Sequence, residues 1–182
     1  MPFSLEPTPL KDLVVVKPKV FGDQRGFFKE LFKASDFERV GLPARFVQDN
    51  LSFSQKGVLR GLHYQLPPHA QGKLVGCLRG EIFDVAVDLR RSSPTFGRWF
   101  GLRLSEKNHL LLYIPEGFAH GFQVVSEEAL VFYKCTAEYA PDFEAGIIWD
   151  DPDLAISWPL SEPVLSERDK GWPSFKEAPL FD

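Results

Sequence analysis

The sequence predicts an all-β fold of the jelly-roll or related barrel type, and three observations carry that prediction. From Arg45 onward, eight short apolar runs are separated by turn residues: RFVQDNLSFS, VLRGLHYQ, KLVGCLRG, EIFDVAVDL, FGRWFGLRL, HLLLYIP, HGFQVV and ALVFYKC. That rhythm is the one a sandwich or barrel requires. Phenylalanine occurs 17 times and methionine once among 182 residues, so rigid rings fill much of the interior, which suits pleated sheets. Only one stretch carries a helix signal, and strands do not alternate with helices, which argues against a parallel α/β sheet. A barrel of this kind has a mouth wide enough for a small ligand, so polar residues at inward parity are where function is sought.

Residues 13–21, LVVVKPKVF, are β-branched and contain Pro18, which cannot donate to a ladder. The run is therefore expected at a sheet edge or in an arm covering about residues 1–20. FGDQRGFFKELF turns at Gly22-Asp23 and re-enters extended chain. Ser35-Asp36-Phe37-Glu38 has the pattern of a capping box, which predicts a helix of about two turns stopped by Gly41-Leu42-Pro43. In EIFDVAVDL, Phe83, Val85, Val87 and Leu89 share one parity, while Asp84 and Asp88 lie on the other with Ile82 and Ala86. This is the pattern of a half-buried antiparallel strand. Arg79-Gly80, Ser93-Pro94 and Pro115-Glu116-Gly117 mark turns. Beyond Tyr139, a Pro- and Asp-rich tail over about residues 140–182 keeps too much Trp and Ile for disorder. It is expected to pack irregularly over the rest of the chain. With no internal repeat and no low-complexity segment, residues 1–182 are expected to form one domain.

A net charge of −4 and a pI near 5.6 give no basic field, which argues against nucleic-acid binding. No run approaches the length of a membrane span, and MPFSLEPTPL lacks the basic and apolar segments of a leader. A cytoplasmic protein without a membrane partner is expected. Cys77 and Cys135 sit in apolar strand runs with no C-x-x-C spacing, so free buried thiols in a reducing compartment are expected.

The stretch VLRGLHYQLPPHAQGK, Val58 to Lys73, gathers an imidazole, a guanidinium and an ammonium. Arg60 and His63 are an odd number of residues apart and would face opposite sides of a regular strand. Gly61 is a natural bulge position that lets both turn inward. Strand periodicity alone favours the plainer outcome of a surface arginine and a hydrogen-bonded core histidine. Lys73 opens an apolar strand; it is either an edge lysine reaching water or a cation at a barrel mouth that stabilises charge developing on oxygen.

The pattern Pro115-x-Gly117-x-x-His120 in IPEGFAHGF resembles the second motif of the cupin superfamily. Metal-binding cupins supply His-x-His and a carboxylate from their first motif. Here His63-Tyr64-Gln65 puts an amide where the second imidazole is needed, so no metal is expected. The strings FGDQRGFFKE, FVQDNLSFS, VLRGLHYQ, GKLVGCLRGEIFDVAVDLR, SPTFGRW, IPEGFAHGF, YKCTAEY, WDDPDLAISWP and LSERD resemble, in order and spacing over about residues 13–170, the dTDP-4-dehydrorhamnose 3,5-epimerase family. The resemblance implies a cupin-type jelly roll, or double-stranded β-helix, with one or a few short helices.

It also implies metal-free epimerisation at C3 and C5 of dTDP-4-dehydro-6-deoxy-D-glucose to dTDP-4-dehydro-L-rhamnose, in dTDP-rhamnose biosynthesis. Inverting a carbon beside a ketone needs a base, a group that stabilises the enolate and an acid on the other face, but no redox cofactor. By resemblance, His63 is the base, Asp169 in LSERD orients it, Lys73 stands near the keto oxygen and Tyr133 in VFYKC returns the proton. Arg25, Glu30, Gln48, Asn50, Arg60, His120, Tyr139, Glu144 and Arg168 match the family's substrate-binding positions; Arg168 replaces a lysine frequent there. Family members are typically homodimers, which fits an N-terminal arm that pairs with a second subunit. Two alternatives stay open: an epimerase acting at one carbon of another dTDP-deoxysugar, and a non-catalytic cupin that binds a sugar nucleotide.

Overall fold

The computed structural model describes residues 2–182. Among the described residues, thirteen strands and two short α-helices follow one another. A six-stranded antiparallel sheet has the order β1 (Phe3–Pro7), β2 (Val14–Pro18), β10 (Leu111–Ile114), β7 (Lys73–Arg79), β12 (Glu128–Cys135), β5 (Gln48–Gln55). A five-stranded sheet has the order β13 (Glu144–Gly146), β6 (Leu59–Gln65), β11 (Phe118–Val124), β8 (Glu81–Asp88), β9 (Trp99–Ser105). A separate hairpin pairs β3 (Phe21–Asp23) with β4 (Gly26–Phe28). The expected cupin-type jelly roll is the architecture found. No helix among the described residues is long and apolar enough to cross a membrane.

The two large sheets face each other across a core to which both contribute. Val75, Cys77, Leu112, Ile114 and Val131 come from the six-stranded sheet, and Ile82, Ala86, Leu104, Phe118 and Phe122 from the other. Alternation then decides which polar side chains also point between the sheets. The residues that share parity with these core positions include His63 opposite His120, Lys73 before Val75, Asp84 between Ile82 and Ala86, and Tyr133 after Val131. On β5 the residues of cavity-facing parity are Gln48, Asn50, Ser52 and Ser54. The core is therefore apolar at one end of the sandwich and polar at the other.

Several expectations change. The run 13–21 is not an edge: β2 is paired on both sides, by β1 and β10, and Pro18 is tolerated because it is the last residue of the strand. The first helix, α1 (Ala34–Arg39), has Lys33 at its N-cap with no side-chain cap, so Ser35 lies inside the helix and the capping box is not formed. The stop is where the sequence places it, at Gly41 with φ +79°. The hairpin turns two residues later than Gly22-Asp23, at Gln24-Arg25, where Asp23 Oδ1 accepts the Arg25 backbone N–H at 2.8 Å. β8 is covered on both faces rather than one: Ile82 and Ala86 face the inter-sheet core, and Val85, Val87 and Leu89 lie under the tail.

The tail lies with Ile156, Trp158, Phe175, Leu180 and Phe181 against that outer face. It also holds β13 and the second helix, α2 (Glu167–Lys170), capped by Ser166, whose Oγ accepts the Asp169 N–H at 3.1 Å. Cys77 and Cys135 are free and buried.

Candidate active site

A cavity of about 300 Å³ opens at the polar end of the sandwich. One wall is the five-stranded sheet and carries His63. A regular β6 could not turn both Arg60 and His63 to this cavity, but the ladder to β11 shifts register between His120 and Phe122, with Gly61 in the bulge at φ +133°. A Cβ on Gly61 would come within 2.6 Å of Gly121 Cα. Glycine is thus what lets the bulge close, and both side chains reach the cavity.

His63 Nε2 lies 2.5 Å from Asp169 Oδ1. Because a carboxylate only accepts, the proton on this bond belongs to Nε2, and Nδ1 is left with its lone pair. Burial pushes the Asp169 carboxyl up, but bonds from His63, Trp172 and the Gly61 backbone outweigh it and hold the group below the usual carboxylate range. An ionised orienting carboxylate follows.

The opposite wall belongs to the six-stranded sheet and carries Lys73 and Tyr133. Lys73 is not an edge lysine: it is only 8% exposed, and its Nζ stands 5.8 Å from the centre of the Tyr133 ring. Among the described residues it forms no ion pair within 4.0 Å. Burial draws it below the ordinary lysine range, opposed by the nearby Cys135, Asp84 and Glu144. Burial also raises the Tyr133 phenol, which keeps its proton on oxygen at neutral pH.

His120, paired with His63 across β11 and β6, is held from behind by Asp84, with Nε2 to Oδ1 2.7 Å. Burial lowers the His120 imidazole against the pull of Asp84. Gln65 is fully engaged with backbone: its amide donates to the carbonyls of His69 and Glu138 and accepts the Ala140 N–H at 2.8 Å. Among the described residues, no three His, Cys, Asp or Glu side chains gather closely enough to hold a metal ion.

The rim supplies hydrogen-bonding groups. Glu144 Oε2 accepts from Tyr139 at 2.9 Å and from Arg168 at 2.8 Å; Gln48 bonds Asn50 at 3.1 Å; Arg60 Nε donates to Ser54 Oγ at 3.0 Å. All of these except Ser54 line the cavity. Of the residues singled out in the sequence, Arg25, Glu30 and Asp169 do not line it; Asp169 is buried against His63. Arg25 is on the exposed β3–β4 hairpin, paired with Asp23. Sequence reasoning assigned no site role to Asp84, Trp172, Ser52 or Gln71. Asp84 was detectable, as a carboxylate at the parity of two core residues; Trp172 sits in an aperiodic stretch that gives no such signal.

The family model for dTDP-4-dehydrorhamnose 3,5-epimerase matches residues 7–177. A relative of that name from Shigella flexneri is 55% identical over 175 residues, 96% of this chain and 97% of its own length. Another from Methanothermobacter thermautotrophicus is 50% identical over 182 residues, with 98% of each chain covered. Among solved structures, the dTDP-6-deoxy-D-glucose-3,5-epimerase of Legionella pneumophila, in complex with dTDP-4-keto-L-rhamnose, superposes with a TM-score of 0.93 at 49% identity over 99% of both chains. By sequence over nearly its whole length and by fold, the chain belongs to the dTDP-4-dehydrorhamnose 3,5-epimerase family.

Proposed function

We propose that the protein epimerises C3 and C5 of dTDP-4-dehydro-6-deoxy-D-glucose to give dTDP-4-dehydro-L-rhamnose, with proton removal and return on opposite faces of the sugar. The observation that carries this reading is that the base comes from one sheet and the phenol and ammonium from the other, with the cavity between them. A flat enolate held between the sheets presents one face to each.

His63, oriented by Asp169, takes the proton beside the ketone. Lys73 stabilises the oxyanion that develops in its buried setting, where a charge interacts more strongly than in water. Tyr133 delivers its proton from the far wall. Gln48, Asn50, Arg60, Tyr139, Glu144 and Arg168 hold the nucleotide and diphosphate at the rim, and His120 contacts the sugar. Each step uses this chain's own side chains and needs no cofactor.

Arg25 and Glu30 reach a site only if another copy brings them, so the working form is a homodimer whose β3–β4 hairpin leans on its partner's cavity. Exposed Phe27, Phe28, Leu51 and Phe53 support that reading. The two buried free thiols fit a reducing cytoplasm. His63→Ala tests the base directly: turnover of the dTDP-sugar is expected to fall by about 10²–10⁴-fold with the circular dichroism spectrum unchanged. Wild-type turnover in that variant would remove His63 from the chemistry.

A further inference from the structure

The carboxylate behind His63 has a second side-chain donor. Asp169 Oδ1 accepts His63 Nε2 at 2.5 Å and also Trp172 Nε1 at 2.9 Å, while Oδ2 faces the Gly61 backbone N–H at 3.4 Å. The indole stands edge-on to the imidazole, with ring centres 5.9 Å apart at 67°. Its place is built in. Gly146, the register partner of His63 on β13, has no side chain, and a Cβ there would overlap indole Cδ2 and Cε2. On the cavity rim the Arg168 guanidinium lies 5.9 Å from the centre of the indole ring.

We propose that Trp172 is a positioning residue for the base: by sharing one oxygen of Asp169 with His63, its N–H fixes the carboxylate and sets how strongly the carboxylate holds a proton on the imidazole. This rests on the epimerase reading and deepens it. Each donor on a carboxylate stabilises the anion, and two donors on one oxygen compete for the same lone pairs. The direction found for Asp169 agrees: burial raises it, and the bonds from His63, Trp172 and Gly61 bring it down. Without the indole N–H, more of the negative charge would act on His63. The imidazolium would be favoured, and the base would be lost to protonation at a higher pH. The carboxylate would also lose a tether and orient the ring less firmly.

Trp172→Phe keeps a ring in the Gly146 groove and deletes the N–H. The acid limb of its kcat/KM profile is expected to move up by about half a pH unit, a roughly threefold change in proton affinity. Its plateau kcat should fall several-fold, with KM near the wild-type value. A residue that only fills space would lower the melting temperature and leave the limb in place, which overturns the proposal.

A measurement on the unaltered protein does not depend on the variant folding. One of its four indole N–H signals should shift with the same pH midpoint as the His63 ring. If none does, the shared oxygen is wrong. An unaltered enzyme with no activity toward the dTDP-sugar would overturn the epimerase reading and this one together; an active enzyme with an unmoved limb in the variant overturns this one alone.

Discussion

A buried lysine is costly, and Lys73 shows what the site trades for it. Its ammonium is pulled below the ordinary lysine range by burial, so the folded state holds that proton less tightly than the unfolded chain does. Below the folded pKa, both states are charged and the desolvation cost is borne in full; as pH rises toward the unfolded value, the cost is relieved. Lys73→Met should therefore melt at a higher temperature than wild type near pH 7, with the gap narrowing in alkali. The same change should lower kcat by about 10²–10³-fold, the cost of losing one oxyanion donor. Calorimetry across pH beside turnover assays checks both halves; a Met variant that is less stable and fully active would contradict the assigned role. The sequence left Lys73 between a wet edge and a barrel mouth because both occur at the start of an apolar strand. Only the neighbouring strands β10 and β12, one on each side of β7, decide the matter. Gln65 shows the converse. The sequence offers it as a missing metal ligand, and the fold shows an amide wholly engaged with the loops around His69 and Ala140.

For whole elements, β6 is the one whose irregularity matters most. Its bulge at Gly61 was legible, because Arg60 and His63 have opposed parity and only a glycine between them reconciles the two. Gly61→Ala must place a Cβ against Gly121 and hold an L residue at φ +133°. A loss of about 1–3 kcal/mol is expected from the backbone conformation alone. Activity should fall further than stability, because Arg60 and His63 lose their common direction; urea unfolding with parallel assays tests this, and an Ala variant as active and stable as wild type would contradict it. Other elements were less legible. The capping-box pattern at Ser35 is local, but where α1 starts depends on packing of the buried Phe37 against Phe3, Phe32 and Phe46. The second covered face of β8 belongs to a tail whose irregular course no periodicity announces.

At the scale of the molecule, the site joins residues that are far apart in the chain. His63 and Asp169 are 106 residues apart and Gly61 and Asp169 108, so their contact was legible only through family resemblance and not through spacing. The outer face of the six-stranded sheet poses a different question. Leu51 sits opposite Phe132 and Phe53 opposite Leu130, with Leu51 63% and Phe53 51% exposed, and the nearby hairpin exposes Phe27 and Phe28. Exposed apolar side chains of this kind need a cover, and a second copy would bring Arg25 with it. Sedimentation should give a dimer, and Leu51→Glu with Phe53→Glu should give a monomer of reduced activity. A fully active monomer would show that one chain suffices.

The central claim is that protons leave two carbons through His63 and return from the opposite face. Running the reaction in deuterated water and locating deuterium in the product by NMR tests it most directly. The account predicts one deuterium at C3 and one at C5, and none in the sugar when His63→Ala is used. Deuterium at a single carbon would reduce the protein to a one-site epimerase. Tight binding of the dTDP-sugar with no deuterium at either carbon would contradict catalysis altogether.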